Sequence, residues 1–313
     1  MSASTTQPSQ TKRSLSTVVI ISLVFCGAYF VLRALPDAQC GFLLYEEVVN
    51  EYGEIELCAT NHAGFLDLTR LKYPVVADFT SDAPLRPGQT SAVALDLKTR
   101  GGMSIAPHEL AVTHTERMHL MLIDPSLEDY HHLHPEADGI NGRYVFEFTP
   151  KRAGEYQAFT EIVPLRSRRQ AIAVSHIEVP GVAGEPRFDK SLKSVVDGLH
   201  FELSGVPESL RTRRDHRFKL TVRDATGAPA ALEMVMGAKG HLVAFDAARR
   251  GFAHMHPIDN VVSTRTAGLS LGGDPSGSLE FMFNVPNPGW YRIFAQIQID
   301  GAPVFGRFDL KVE

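Results

Sequence analysis

The sequence predicts an all-β protein, two tandem β-sandwich domains behind an N-terminal transmembrane helix. Three observations carry this. From Tyr73 onward the chain is a succession of short strand-like runs broken by Gly and Pro, with almost no helical periodicity. A histidine-rich segment occurs twice, HLMLIDPSLEDYHHLHP at 119–135 and HLVAFDAARRGFAHMHP at 241–257. Leu15 to Leu32 is an almost purely apolar run, just long enough to cross a bilayer as a slightly short helix.

The N-terminus comes first in the chain. Residues 1–14 are polar, with Lys12 and Arg13 as their only charges, and Arg33 ends the apolar run. Positive charge ahead of the span predicts a cytoplasmic tail over 1–14 and a transmembrane signal anchor over 15–35. Everything after about residue 36 is then periplasmic or extracellular, a single-pass topology. A cleaved signal peptide is the competing reading, but the apolar stretch is long and no clean small-x-small site follows it.

Residues 36–72 read as a short linker module. Cys40 and Cys58 fall in this exported region, where thiols oxidise, so a disulfide between them is expected. Closing that loop would add about 3 kcal/mol on the chain-entropy model. The alternative pairs Cys58 with His62 as a soft metal pair. Cys26 is a small apolar residue within the span, and the absence of CxxCH excludes covalently attached haem.

The first sandwich is expected over 73–180, with strands at Val75–Phe79, Ser91–Leu97, Leu110–His114, Met118–Ile123, Tyr144–Phe148, Tyr156–Ile162 and Ala171–Val179. A Gly/Pro linker spans 181–190. The second sandwich is expected over 191–313, at Leu199–Leu203, Phe218–Arg223, Glu233–Met236, Leu242–Phe245, Leu279–Val285, Tyr291–Ile299 and Pro303–Val312. His119, Leu120, Asp124, His132, His134 and Pro135 match His241, Leu242, Asp246, His254, His256 and Pro257 at a constant offset of 122. Further on, GRYVFEFTPKRAGEYQAF (142–159) matches GSLEFMFNVPNPGWYRIF (277–294) at an offset of 135. The extra length sits after Pro257 in a Gly/Ser-rich stretch, where insertions belong. The pattern GxYxxF resembles the penultimate strand of an immunoglobulin-like domain, so each sandwich is expected to be of that type.

Thirteen histidines are more than a chain of this size needs. Successive strand side chains point to opposite faces, so His132 and His134 project together while Leu133 opposes them. His254 and His256 do the same around Met255. An H-x-H pair on a strand is a natural metal platform, and a hairpin can bring His119 or His241 to it. His114 lies five residues before His119, and Met236 holds the equivalent place in the second repeat. His and Met are poor substitutes in packing, yet both ligate copper. The candidate metal ligands are therefore His114, His119, His132 and His134, and Met236, His241, His254 and His256, with copper first and zinc second. His131 has no counterpart in the second repeat, where Ala253 stands, and reads as a surface residue. Asp124 and Asp246 read as turn residues.

The texture of Met118-His119-Leu120, Tyr130-His131-His132-Leu133-His134-Pro135 and Gly154-Glu155-Tyr156 is similar to that of YtkA-like and FixH-like exported proteins. It recurs at His241-Leu242, Phe252-Ala253-His254-Met255-His256-Pro257 and Gly289-Trp290-Tyr291. The resemblance implies an immunoglobulin-like sandwich, copper handling, and an envelope or respiratory-chain partner. It covers about 75–180 and 195–313 and leaves 37–72 outside.

A net charge of −5 argues against a nucleic-acid binder. No nucleophile motif, paired carboxylates at telling spacing or phosphate loop is present, so the expected activity is not enzymatic. The expected function is metal delivery, storage or sensing. The alternative is a metal-free interaction module whose histidines are structural.

Overall fold

The computed structural model describes residues 10–34, 45–49, 55–59, 64–258 and 277–313. The chain divides into two compact units, Met1–Cys40 and Gly41–Glu313. The first contains α1 (Gln10–Ala34), on which Val18, Ile20, Leu23, Phe25 and Phe30 are exposed. Among the described residues, no helix is long and apolar enough to cross a membrane.

The second unit is all-β and antiparallel. It opens with a hairpin of β1 (Tyr45–Val49) and β2 (Ile55–Ala59), followed by β3 (Leu66–Asp67). The proposed Cys40–Cys58 bridge and the Cys58–His62 pair lie outside the described residues and side chains.

The first repeat supplies β4 (Val75–Thr80), β5 (Ser91–Thr99), β6 (Met118–Ile123), β7 (Tyr130–Leu133), β8 (Glu136–Ala137), β9 (Arg143–Phe148), β10 (Gly154–Ile162) and β11 (Ala171–Val179). They form two sheets, β4-β5-β9-β8 and β11-β10-β6-β7. Leu95, Leu97, Tyr144 and Phe148 of one sheet share a core with Leu120, Leu122, Tyr156 and Ala158 of the other. The second repeat supplies β12 (Lys193–Val196), β13 (Leu199–Ser204), β14 (His216–Arg223), β15 (His241–Asp246), β16 (Gly251–Met255), β17 (Ser278–Phe283), β18 (Gly289–Ile299) and β19 (Ala302–Val312). Its sheets are β12-β13-β14-β17 and β19-β18-β15-β16-β3, with Phe218, Leu220 and Phe281 packed against Leu242, Ala244 and Ile293.

A third apolar cluster joins the repeats. Met121, Ile123, Tyr130 and Phe159 of the first meet Val243, Phe245, Phe252 and Phe294 of the second. The histidine-bearing sheets are therefore covered on both faces. Leu120 and Leu122 of β6 point into their own sandwich, and Met121 and Ile123 point into the joint. This is why every residue of β6 and β15 is buried and why these strands read as continuous apolar runs rather than alternations.

Two expected strands are absent. Leu110–His114 and Glu233–Met236 end in tight turns, with Thr113 bonded to Glu116 and Val235 to Ala238 through their backbones. His114 (φ 52) and Met236 (φ 50) both adopt left-handed backbone, which no strand accommodates. The expected insertion after Pro257 falls almost wholly outside the described residues.

The linker module is not a free spacer. β3 pairs with β16, and Phe65 and Leu66 are buried in the body. Gly251 permits this approach, because a Cβ there would meet the Leu66 carbonyl oxygen at 1.7 Å. Gly251→Ala is expected to displace residues 64–68 and to cost about 1–3 kcal/mol. A lower melting temperature together with new proteolytic cleavage near Leu66 is the expected signature, and an unchanged cleavage pattern would contradict it.

Candidate metal centre

The paired strands build each site. In the register of β6 with β7, Met121 lies opposite His132, and in that of β15 with β16, Val243 lies opposite His254. His119 and His241 stand two residues before those positions and so share their face of the strand, at or next to the strand start. His119, His132 and His134 bring one ring nitrogen each to within 4.8 Å of one another, and so do His241, His254 and His256.

Their other nitrogens fix the tautomers. His119 Nε2–H donates to the Thr113 carbonyl at 2.9 Å, and His241 Nε2–H donates to that of Val235 at 2.9 Å. These are the carbonyls presented by the two left-handed turns. A carbonyl can only accept, so Nδ1 of each ring is left with a bare lone pair. His132 Nδ1–H donates to Gln296 Oε1 at 2.9 Å, and His254 Nδ1 faces Glu161 Oε2 at 3.6 Å. His132 therefore turns a bare Nε2 toward the site, and His254 does the same when its proton sits on the Nδ1 that faces the Glu161 carboxylate.

The outcome is that His119 Nδ1 faces His132 Nε2 at 3.3 Å, and His241 Nδ1 faces His254 Nε2 at 3.2 Å, with acceptor against acceptor. Two lone pairs do not bond each other. A cation placed between them could be held by both. Ligands held about 2.0–2.1 Å from a tetrahedral ion stand about 3.3–3.4 Å apart, which these separations match. The third member of each set agrees, for His134 Nε2 and His256 Nε2 are buried without a hydrogen-bond partner. The residues present fit a metal ion.

Burial sets the electrostatics. It drives His119 down to about 4 and His134 down to about 3, with neighbouring histidines opposing any further charge. Burial first, then adjacent histidines, hold His114, His132 and His256 well below the ordinary imidazole range. His241 is lowered in the same way. Burial pushes the Glu161 carboxyl up, but the His254 and His119 rings and the Gln170 amide outweigh this and keep it below the usual range. At neutral pH His119, His132, His134, His241 and His256 are therefore unprotonated, the form that binds metal.

His114 sits apart from its own set. Its ring is 6.0 Å from that of His119 but 4.0 Å from that of His256 in the other repeat. Met236 is buried in the equivalent turn. His131 is not a surface residue as expected. Its side chain is 15% exposed, stands 2.9 Å from Asp129 Oδ1 and lies edge-on to Phe148. Asp124 accepts from the backbone N–H groups of Ser126, Glu128 and Asp129, and Asp246 accepts from that of Arg250, both being turn residues.

Glu161, Gln170 and Gln296 were not among the expected site residues. Glu161 and Gln296 correspond at the offset of 135, in the strand aligned by GxYxxF. A polar residue recurring at the same buried position in both repeats was the available signal.

Among solved structures, that of Salmonella alpha-2-macroglobulin reacted with methylamine covers 84% of this chain and 16% of its own, at 13% identity and a TM-score of 0.25. The chain thus spans about a sixth of that protein's length. The fibronectin(III)-like modules of Clostridium thermocellum CbhA cover 75% of this chain and 94% of their own, at 11% identity and a TM-score of 0.21. Likenesses this loose carry no argument about function. No curated protein matches the chain in sequence. One family model does match, over residues 75–178 and 193–313, which together make up most of the chain and coincide with the two repeats. The chain belongs to the family described as Domain of unknown function (DUF8832).

Proposed function

We propose that this protein binds metal through its two histidine triads, copper before zinc, and handles the ion by delivery, storage or sensing rather than by catalysis. The observation that carries this is the convergence of three buried imidazole nitrogens in each triad, two of them 3.3 Å and 3.2 Å apart and the third without a hydrogen-bond partner. A purely structural role would not leave the buried His134 Nε2 and His256 Nε2 without a hydrogen-bond partner. Neutral imidazoles suit Cu(I), Cu(II) and Zn(II), and the His114/Met236 exchange favours copper.

The finer architecture belongs to the same proposal. The first repeat pairs two four-stranded sheets, and the second pairs a four-stranded sheet with a five-stranded one that includes β3. Tyr156 and Tyr291 each donate their hydroxyl to a carbonyl four residues upstream, Arg152 at 3.0 Å and Asn287 at 2.8 Å. Such a tyrosine corner supports the immunoglobulin-like reading. The exposed apolar side chains of α1 support attachment of an exported body to a membrane. An envelope or respiratory-chain partner remains a proposal from the resemblance to YtkA-like and FixH-like proteins.

Metal analysis of the purified full-length chain is the test. Two ions per chain are expected, falling to one in His132→Ala/His134→Ala and to one in His254→Ala/His256→Ala. A chain that binds no copper or zinc, and whose melting temperature neither ion changes, would favour the interaction module instead.

A further inference from the structure

We infer that the two triads form one two-ion centre across the joint between the repeats, in which the ion on His241, His254 and His256 binds more tightly because Glu161 backs it. This rests on the metal-binding reading above and goes beyond it in making the two sites unequal.

The triads are neighbours. The His132 and His254 rings are 5.1 Å apart, and those of His119 and His254 are 5.7 Å apart. Each triad is also completed from the other repeat. His132 of the first is oriented by Gln296 of the second, and His254 of the second faces Glu161 of the first. The strand registers are equivalent, Glu161 opposite His119 and Gln296 opposite His241. The two supporting positions are thus the same position, differing in a single group: carboxylate on one side, amide on the other.

That difference has a direction. Glu161 is 6% exposed, and Gln170 Nε2 donates to its Oε1. Its Oε2 has no hydrogen-bond partner and is aimed at His254 Nδ1. The ion-pair partner it has among the described residues is His254. A buried carboxylate so placed both strengthens the imidazole as a donor and supplies a negative charge for the cation beyond it. Gln296 orients His132 equally well but brings no charge. An ion on the second triad is therefore favoured, and the next ion must enter beside a charge already present.

Titration of the full-length chain with zinc, followed by heat and by chelator competition, tests this. Two zinc ions are expected with affinities at least about tenfold apart. Glu161→Gln is expected to weaken the tighter site by about 10–100-fold and bring it level with the other. Gln296→Glu is expected to tighten the weaker site, and it carries the test if Glu161→Gln does not fold. Two equal sites in the unaltered chain, or a Glu161→Gln effect spread equally over both, would overturn the inequality while leaving the metal-binding reading intact. Neither zinc nor copper bound at all would overturn both.

Discussion

Replacing Arg292 by methionine is expected to lower the stability of the β body by about 3–5 kcal/mol, the largest effect of any single substitution away from the histidines. Arg292 is completely buried in β18, with Nε on Asp309 Oδ1 at 2.7 Å and Nη2 on Asp309 Oδ2 at 2.8 Å. Its remaining donors reach the carbonyls of Leu127 at 3.0 Å, Ser126 at 3.4 Å, and Arg187 in the linker. The guanidinium also lies 5.0 Å over the Phe188 ring. One side chain of the second repeat thus satisfies the Asp124–Asp129 turn of the first and the segment between them. Methionine fills similar volume but leaves the Asp309 carboxylate, itself buried, facing no cation and leaves the carbonyls unpaired. Urea denaturation checks the magnitude. A loss below about 1 kcal/mol would show that the pair contributes little. Arg292→Met/Asp309→Leu removes both charges, so it should recover a large part of the loss. The same substitution should weaken metal binding, because the triads borrow residues across the joint that Arg292 fastens.

How much of this could be read from the chain depends on which contacts are local. The repeat offset of 122 fixed the six triad histidines, since their hairpins are short and every spacing survives in sequence. The opposed facing of Leu133 and Met255 followed from strand alternation, and both pack toward their own sandwich cores. The failure at Leu110–His114 and Glu233–Met236 had a different cause. Apolar runs suggested strands, but left-handed backbone at His114 and Met236 turns the chain, and neither residue advertises that conformation as Gly or Asn would. His131 was judged by its lack of a partner in the second repeat. What buries it is Phe148 and Asp129, which depend on sheet packing rather than on the repeat. The face-to-face meeting of the two histidine sheets was the largest omission. Its evidence was present as β6 and β15, apolar at every position except His119, His241 and the closing Asp246. Without a partner surface in view, such runs are compatible with a strand buried in one sandwich. Glu161 and Gln296 were missed for the same reason, because their targets are on the other repeat.

The second large effect concerns pH, and it separates a buried site from an exposed one. In the folded body His119 is held at about 4 and His134 at about 3, against an ordinary 6.5, chiefly by burial. Unfolding returns both rings to water, where they protonate near 6.5. Above that pH they are neutral in either state and contribute no pH dependence. Below it the unfolded chain takes up protons that the folded body refuses, so acid favours unfolding by about 1.4 kcal/mol per pH unit for each ring. These two alone should cost about 3 kcal/mol on going from about pH 7.5 to about 5.5. Glu161 acts in the same direction but lower down, since its depressed carboxyl loses its stabilising charge only below the ordinary 4.5. Urea midpoints of the metal-free protein at the two pH values measure the slope, and a flat profile would mean that the histidines are charged or exposed. Zinc affinity should behave in the opposite way. An exposed site of three imidazoles loses roughly a thousandfold in affinity per pH unit below about 6.5, because every ligand must first shed a proton. In the triad of His119, His132 and His134 burial already holds all three rings neutral in the folded body, so zinc affinity of that site should stay nearly level down to about pH 5 while stability falls. A steep loss of affinity between about pH 7 and about 6, in protein still folded by circular dichroism, would show that the imidazoles are hydrated and titrate freely.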